Sequence, residues 1–249
     1  MSATNVRWTY AFIDRPLGRL GPAHDFWTAA IDTEVSELRG DKGEFTTLLS
    51  SGADACVKVQ GVEDGPGGAH LDFSVEDVPA FVESALRLGA DTVAGHDGWA
   101  VLRSPAGQLF CAVPWHGESV RPPVVADTRL DQVSLDIGPR SYDAELAFWN
   151  ALLPDWASLA GALPEFHVLK PPPGLPIRIL LQRLAEDRPA SAHLDLACAD
   201  IDTAVVVHER LGASVVSQGR HWTVMRDSAG GTYCLTGRDP ETGGLPNRP

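Results

Sequence analysis

Two histidines in this sequence are each followed two residues later by an aspartate: His70 precedes Asp72, and His193 precedes Asp195. Alternate residues of a β-strand point to the same face, so in a strand the two members of each pair would lie side by side. An imidazole and a carboxylate placed in this way can chelate a metal ion when a further histidine joins them. The histidines available for that role are His96, His116 and His221. In the simpler interpretation, each aspartate accepts hydrogen bonds from neighbouring strand or pocket groups.

The two pairs belong to an internal repeat. The segment His70-Leu71-Asp72-Phe73 returns as His193-Leu194-Asp195-Leu196, at an offset of 123 residues. The same offset relates Trp99, Arg103, Gly107 and Cys111 to Trp222, Arg226, Gly230 and Cys234. Chance matches would drift in spacing, so a constant offset over some forty residues indicates duplicated structure. A functional site is therefore to be sought where each copy could build one.

The residues around each pair predict a strand, a helix and three further strands. Asp77 and Asp200 are placed to cap the helices, and Gly89 and Gly212 to end them. A more divergent segment of similar layout precedes each copy, and its Phe26-Trp27 aligns with Phe148-Trp149 at an offset of 122. We therefore expect an α+β protein made of four βαβββ units, with these two tryptophans in the core.

The units predict two domains joined by a linker rich in proline and charge. The first domain covers residues 1–116, with units at about 5–62 and 68–115. The linker covers 117–129. The second domain covers 130–239, with units at about 130–186 and 191–238, and a loose tail follows at 240–249.

Composition excludes several classes of function. The chain has 249 residues and a formal net charge of −13, so a nucleic acid would be repelled. It shows no signal peptide and no apolar run long enough to span a bilayer, which predicts a cytoplasmic protein without a membrane partner. We expect its four cysteines to be reduced core residues, and the chain to be a monomer or homodimer. These cysteines are Cys56, Cys111, Cys198 and Cys234.

Tandem βαβββ units with these motifs resemble the vicinal oxygen chelate superfamily, which includes glyoxalase I, bleomycin-resistance proteins and extradiol dioxygenases. The resemblance covers most of the chain. It is carried by the His-Leu-Asp strand, the Leu-Gly-Ala helix end and the hairpin that runs from Ser104 to Cys111. It implies two glyoxalase-like domains, each a half-open barrel around one apolar pocket.

The same resemblance implies where a metal would bind. Metal-using members place His or Gln on first strands and Glu on last strands; His70, His193 and Gln132 hold first-strand positions, with Thr9 as the equivalent of Gln132. The last-strand Glu positions are Leu109 and Thr232. Because both carboxylates are missing, we expect no conventional metal site. A rebuilt one, for Zn, Ni, Mn or Fe, would use His193 and Gln132 in the second domain.

The first hypothesis is thus a protein that binds a small apolar or aromatic ligand without essential metal, for sequestration or resistance. The second is a metal-dependent lyase, isomerase or dioxygenase that uses the second domain. The third is a metal-free enzyme with an inward His or Asp as acid–base catalyst. The second pocket keeps more polar residues and should fill first; no spacing fixes a His beside an inward cysteine to make it a nucleophile. The pocket residues we predict are His70, Asp72, Trp99, Leu109, Cys111, Gln132, His193, Asp195, Trp222, Thr232 and Cys234.

Overall fold

A computed structural model describes residues 6–245 of the chain. The start of the predicted first domain (1–5) and the end of the predicted tail (246–249) lie outside the described residues. Over the described range, two eight-stranded sheets and four α-helices are formed, which confirms the α+β class. None of the helices in this range has the length and apolar character needed to cross a membrane.

The first sheet has the strand order β2-β3-β4-β1-β5-β8-β7-β6. Helix α1 (Leu20–Ile31) follows β1 after a short 3-10 turn, and helix α2 (Val78–Arg87) follows β5. The strands are β1 (Val6–Pro16), β2 (Thr33–Val35), β3 (Phe45–Ser50), β4 (Val57–Val62), β5 (Gly68–Val75), β6 (Asp91–His96), β7 (Trp99–Arg103) and β8 (Leu109–Pro114).

The second sheet repeats this order as β10-β11-β12-β9-β13-β16-β15-β14. Helix α3 (Tyr142–Leu152) follows β9, and helix α4 (Ile201–Arg210) follows β13. The strands are β9 (Thr128–Ile137), β10 (Ala157–Ala160), β11 (Phe166–Lys170), β12 (Arg178–Arg183), β13 (Ser191–Cys198), β14 (Ser214–Gln218), β15 (Trp222–Arg226) and β16 (Thr232–Gly237).

Each sheet therefore contains two βαβββ units, as predicted. In both sheets the first strand of the later unit pairs in parallel with the last strand of the same unit, β5 with β8 and β13 with β16. The pairs β6–β7, β7–β8, β14–β15 and β15–β16 are antiparallel. Each sheet ends in two edge strands, so neither closes into a barrel.

The predicted caps define helices α2 and α4. The Asp77 side chain accepts a hydrogen bond from the Ala80 N–H, and the Asp200 side chain accepts one from the Asp202 N–H. Gly89 and Gly212 follow these helices with φ of +104° and +96°, a left-handed conformation that glycine adopts without strain. These turns direct the chain back to the sheet.

Two short strands were not predicted from the sequence. β2 and β10 have three and four residues, and their side chains are mostly exposed. An exposed edge strand has no buried face, so it lacks the alternation of apolar and polar residues that reveals a strand in a sequence.

Contacts between residues divide the chain into two compact bodies, which are different from the βαβββ units and are called unit 1 and unit 2 below. Unit 1 contains the described residues up to Ala11, together with His70–Val120 and Val133–Ala192. Unit 2 contains Phe12–Ala69, Arg121–Gln132 and the described residues from His193 onward. Each unit thus joins segments that are distant in sequence.

Aromatic side chains form the core of each unit. In unit 1, the Trp149 ring on α3 lies 5.7 Å from Phe73 and 5.0 Å from Phe110. In unit 2, the Trp27 ring on α1 lies 5.1 Å from Tyr233. Trp27 and Trp149 are fully buried, as predicted for core residues. Helix α3 therefore packs on strands β5 and β8 of the preceding βαβββ unit, and helix α1 packs on strand β16 of the last one.

A buried carboxylate anchors the hairpin of unit 2. Asp227 Oδ2 accepts hydrogen bonds from Arg15 Nη2 (2.6 Å) and from Trp27 Nε1 (3.0 Å). Its Oδ1 accepts from the backbone N–H groups of Ala229 and Gly231. Both ionic side chains are 2% exposed or less. The network ties β1, α1 and the β15–β16 turn together.

In unit 1 the hairpin turn is also anchored by a buried carboxyl group, but this group comes from a different element. Glu145 on α3 accepts hydrogen bonds from Trp149 Nε1 (2.7 Å) and from the Ala106 N–H (2.8 Å) in the β7–β8 turn. Burial raises the pKa of Glu145, against the opposing effect of its hydrogen bonds with Ser104, Ala106 and Trp149. The repeat aligns Ser104 with Asp227 and Ala23 with Glu145. The buried carboxyl group therefore lies on the helix in unit 1 and in the hairpin turn in unit 2.

Candidate functional site

The site in unit 2 lies on the face of the sheet that the helices leave uncovered. Tyr233 and Leu235 of β16 are fully buried, and Tyr233 contacts the rings of Phe26 and Trp27. Alternate residues of β16 point to the other face, among them Cys234. In the β-ladders, Cys234 lies beside Asp195 on β13. We call the residues of this face the second-sheet open face: Gln132, His193, Asp195, Trp222, Thr232 and Cys234.

Three side chains of this face converge. His193 Nε2 lies 3.4 Å from Asp195 Oδ1. One ligand atom each of His193, Asp195 and Cys234 lies within 4.8 Å of the other two. Gln132 Nε2 donates a hydrogen bond to Asp195 Oδ2. The structure thus brings an imidazole, a carboxylate, a thiol and an amide together at one point.

The thiol in this group is held in its protonated form. Burial raises the pKa of Cys234, and the nearby charge of Asp195 raises it further, whereas its hydrogen bond with His193 acts in the opposite direction. A protonated thiol is a weak nucleophile. The structure does place a histidine beside this cysteine, which the sequence spacing did not reveal. His193 favours the thiolate, but burial and the charge of Asp195 outweigh its effect.

Unit 1 contains the same three residue types in the same register. Asp72 lies beside Cys111 in the parallel pairing of β5 and β8, and His70 Nε2 lies 3.7 Å from Asp72 Oδ1. A ligand atom of each again lies within 4.8 Å of the others. All three side chains are buried.

The first site lacks the amide. Thr9, the expected equivalent of Gln132, instead accepts a hydrogen bond from the Ile177 N–H at 3.3 Å. At the helix offset of 122, the residue that corresponds to Gln132 is Tyr10, whose hydroxyl donates to Glu118. The second site therefore has the richer set of polar groups.

The positions that the resemblance assigns to metal-binding glutamates carry no carboxylate. Leu109 is 41% exposed and pairs with Arg103, and Thr232 is exposed and pairs with Arg226. A conventional ligand set on the last strands is thus absent from both sheets. The residue that lies beside the aspartate of each first strand is instead a cysteine, Cys111 on β8 or Cys234 on β16.

The histidines proposed from sequence as a third ligand do not join either group. Among the described residues, the two groups of potential metal ligands contain none of the three. His96 stacks on Trp99, with ring centroids 3.9 Å apart and planes 7° from parallel. A cysteine completes each trio instead, because the parallel strand pairing brings β8 beside β5 and β16 beside β13. The four cysteines are free thiols and buried, as expected.

Trp99 and Trp222 occupy matching places. Trp222 pairs with Thr236, so it lies on the same face as Cys234 and His193. Both indoles are half-buried. They offer an apolar surface on the same face as the polar groups, and apolar and polar groups on one face are the usual composition of a small-molecule site.

The sequence matches the model of one protein family. The family described as glyoxalase-like domain matches the chain twice, over residues 12–113 and 132–236. No curated protein matches the chain in sequence.

Solved structures with this architecture include several dioxygenases. A 2,3-dioxygenase, LapB, from Pseudomonas sp. KL28 has a TM-score of 0.63 at 12% identity, with 98% of each chain covered. A 2,2',3-trihydroxybiphenyl 1,2-dioxygenase from Sphingomonas wittichii RW1 has a TM-score of 0.61 at 14% identity, covering 96% of this chain and 95% of that one. A fusion of a xylose isomerase-like TIM barrel with a 4-hydroxyphenylpyruvate dioxygenase has a TM-score of 0.60 at 14% identity; the match covers 98% of this chain but 50% of the fusion protein. At such identities the likeness concerns the fold alone.

Proposed function

Because the chain belongs to the glyoxalase-like domain family, we propose that it binds a small, partly aromatic organic molecule on the second-sheet open face, without a conventional metal site. The observation that carries the proposal is the convergence of His193, Asp195 and Gln132 on the face that also bears Trp222. Leu109 and Thr232, at the positions of the expected carboxylates, support binding without the usual metal. Sequestration of the ligand is the simplest role for such a site.

The chemistry of this face suits a hydroxylated aromatic ring. The Asp195 carboxyl oxygens can accept a hydrogen bond from a phenolic hydroxyl, and His193 can donate or accept one. Trp222 provides a flat apolar surface on which an aromatic ring can stack. Structural neighbours named for catechols and trihydroxybiphenyl make these molecules reasonable first probes.

We expect His193→Ala and Asp195→Asn each to weaken binding of catechol or trihydroxybiphenyl about 10- to 100-fold, since each removes a buried polar contact to the ligand. Isothermal titration calorimetry measures the change. His70→Ala is the matched control, because His70 holds the same place in the first sheet. Binding that is lost in the His70 variant and kept in the His193 variant would contradict the assignment to the second sheet.

A metal-dependent enzyme is the second candidate, and one observation favours it. His193, Asp195 and Cys234 offer nitrogen, oxygen and sulfur donors that lie close together. Zinc accepts all three donor types, and three protein ligands with one open position is the arrangement of catalytic zinc sites. The trio therefore fits a zinc-like ion, which would act as a Lewis acid on a bound substrate oxygen. Binding would require the Cys234 thiol to lose its proton.

Cobalt distinguishes the two candidates. If the trio binds metal, protein titrated with Co²⁺ should show a thiolate-to-cobalt charge-transfer band, because the thiolate is a direct ligand. Cys234→Ser should abolish the part of the band that comes from unit 2, and Cys111→Ser should leave that part intact. Elemental mass spectrometry of protein purified without chelators or a histidine tag tests whether metal is retained. An absent band in the unsubstituted protein would eliminate the metal candidate and leave the ligand-binding proposal standing.

A further inference from the structure

Unit 1 contains a cavity of about 340 Å³ that shares no residue with the second-sheet open face. It lies between the start of β1, the segment after β8, the residues that follow α3 and the loop before β12. Its walls include three tryptophans, Trp8, Trp115 and Trp156, and two carboxylates, Glu118 and Asp155. Pro172, Pro173 and Gly174 form part of the lining. This volume suits an organic molecule rather than a single water.

The aromatic walls are held in place before any ligand arrives. Trp8 is 1% exposed and Trp156 is 6% exposed, so these two rings are packed behind the cavity wall, and only the half-buried Trp115 presents a ring to a ligand. Trp115 Nε1 donates a hydrogen bond to the Glu118 carbonyl oxygen at 3.0 Å, which orients its ring. The prolines restrict the loop on the other side. A ligand would therefore bind with little ordering of the protein, which favours affinity.

The protein itself shows that the Trp115 ring accepts a cation. The Arg7 guanidinium carbon lies 4.6 Å from the centroid of this ring, within the range of a cation–π contact. The Arg7 side chain is 40% exposed, and its contact with Glu76 is long, at 3.6 Å. Such a surface ion pair holds Arg7 weakly, so a ligand cation can compete with it for the ring.

The lining holds two carboxylates, Glu118 and Asp155, and one guanidinium, Arg7, so its formal charge is −1 and becomes −2 when Arg7 is replaced by a neutral residue. Tyr10 donates to Glu118 Oε1 at 2.7 Å, and the His116 N–H donates to Oε2 at 3.0 Å. Burial by itself raises the pKa of Glu118, but these hydrogen bonds outweigh it and hold the pKa below the ordinary value. Glu118 is therefore ionised at neutral pH, and Asp155 lies exposed at the rim.

Unit 2 provides an internal comparison. The corresponding cavity, lined by Arg129 and Leu130 where unit 1 has Arg7 and Trp8, measures only about 30 Å³. Thr33, which aligns with Asp155, lines it, and no tryptophan does. The fold alone does not create an aromatic, acidic cavity at this place; the residues specific to unit 1 do.

We propose that this cavity is a binding site for a small organic cation, with a quaternary or tertiary ammonium group against the Trp115 ring in place of Arg7 and with Glu118 and Asp155 as counter-charges. Aromatic faces combined with carboxylates are the features that recognise such cations, because a dispersed positive charge is attracted to both and needs no directed hydrogen bond. The site is independent of the ligand proposed for the second-sheet open face.

Choline tests the proposal against its uncharged isostere, in which a tert-butyl group replaces the trimethylammonium group. We expect choline to bind at least about ten-fold more tightly, since cation–π and ionic attraction distinguish two molecules of equal shape. Tryptophan fluorescence and isothermal titration calorimetry report the binding. Equal affinities, or no binding of choline, would overturn the proposal.

Variants locate the site. Asp155→Asn and Glu118→Gln should each weaken choline binding several-fold, whereas Asp97→Asn, at an exposed turn of the same unit, should not. Arg7→Gln should strengthen binding, because it removes the competing cation, and a purely structural role of Arg7 would not produce this result. His193→Ala should leave choline binding unchanged, so failure of the first proposed site does not decide this one. Choline binding that is indifferent to Asp155, Glu118 and Arg7 would refute the assignment.

Discussion

Replacement of Asp227 by asparagine should lower the free energy of unfolding by about 3–5 kcal/mol, the usual loss when one member of a buried ion pair is removed. The carboxylate faces Arg15, which is 2% exposed and has no solvent to compensate its charge. The remaining acceptors near Arg15 are the carbonyl oxygens of Asp14 and Gly68, which carry only partial charges. Urea denaturation followed by tryptophan fluorescence measures the loss, since Trp27 donates to the same carboxylate.

Glu145→Gln is the matched control for this prediction. Glu145 also binds a tryptophan and a hairpin N–H, but the hydrogen bonds and pKa effects at this carboxyl group involve no cationic side chain. The expected loss is about 1–3 kcal/mol, from a buried donor that loses its acceptor. Equal losses in the two variants would show that the Arg15 charge contributes nothing beyond the hydrogen bonds.

Acidification from pH 6.5 to pH 4 should remove about 3 kcal/mol of stability through His208 alone, at 1.36 kcal/mol per pKa unit. Burial lowers the pKa of His208 to about 4. The side chain is 1% exposed, and its Nδ1 lies 2.7 Å from the Tyr233 hydroxyl. Because the folded state holds the neutral imidazole, this contribution is complete above pH 6.5 and disappears as the pH falls towards 4.

The test compares the pH dependence of the unfolding free energy in the unsubstituted protein and in His208→Gln. The variant should be less stable at pH 7 and should lose less stability on acidification. His221→Gln changes an exposed histidine and serves as the control. His24 and His167, whose pKa values burial also lowers, remain in both variants and cancel in the comparison. A variant as acid-sensitive as the parent would exclude His208 as the source.

The repeat made much of this fold predictable. A constant offset fixes which strands and helices correspond, and the alternation along each strand places His193 and Asp195 on one face. Cysteines with the same parity on the last strand could be assigned to that face as well. The contact between Cys234 and His193 could not be predicted, because it depends on the parallel pairing of β13 with β16 and on side-chain direction, not on spacing.

Other features were missed for a related reason. The Arg15–Asp227 pair joins residues 212 positions apart, and no local pattern connects them. The repeat did contain a signal for it. Ser104 aligns with Asp227 and Ala23 aligns with Glu145, so each copy has a carboxyl group where the other has a small residue. The aromatic cavity is likewise built from four separate segments. Trp115 and the Pro172-Pro173-Gly174 loop lie far apart in the sequence, and only the fold brings them together.

The different placement of the buried carboxylates bears on how a duplicated chain avoids assembling with itself incorrectly. If α3 were to dock on the β15–β16 hairpin, Glu145 and Asp227 would be forced into one dry space, where two like charges repel. If α1 were to dock on the β7–β8 hairpin, Ala23 and Ser104 would leave the indole N–H of Trp27 without an anion. Each helix therefore finds a matching polar partner only on its own hairpin: Glu145 of α3 on the β7–β8 turn, and Asp227 of the β15–β16 turn for Trp27 of α1. We expect this difference to disfavour the exchanged pairings of helix and hairpin during folding.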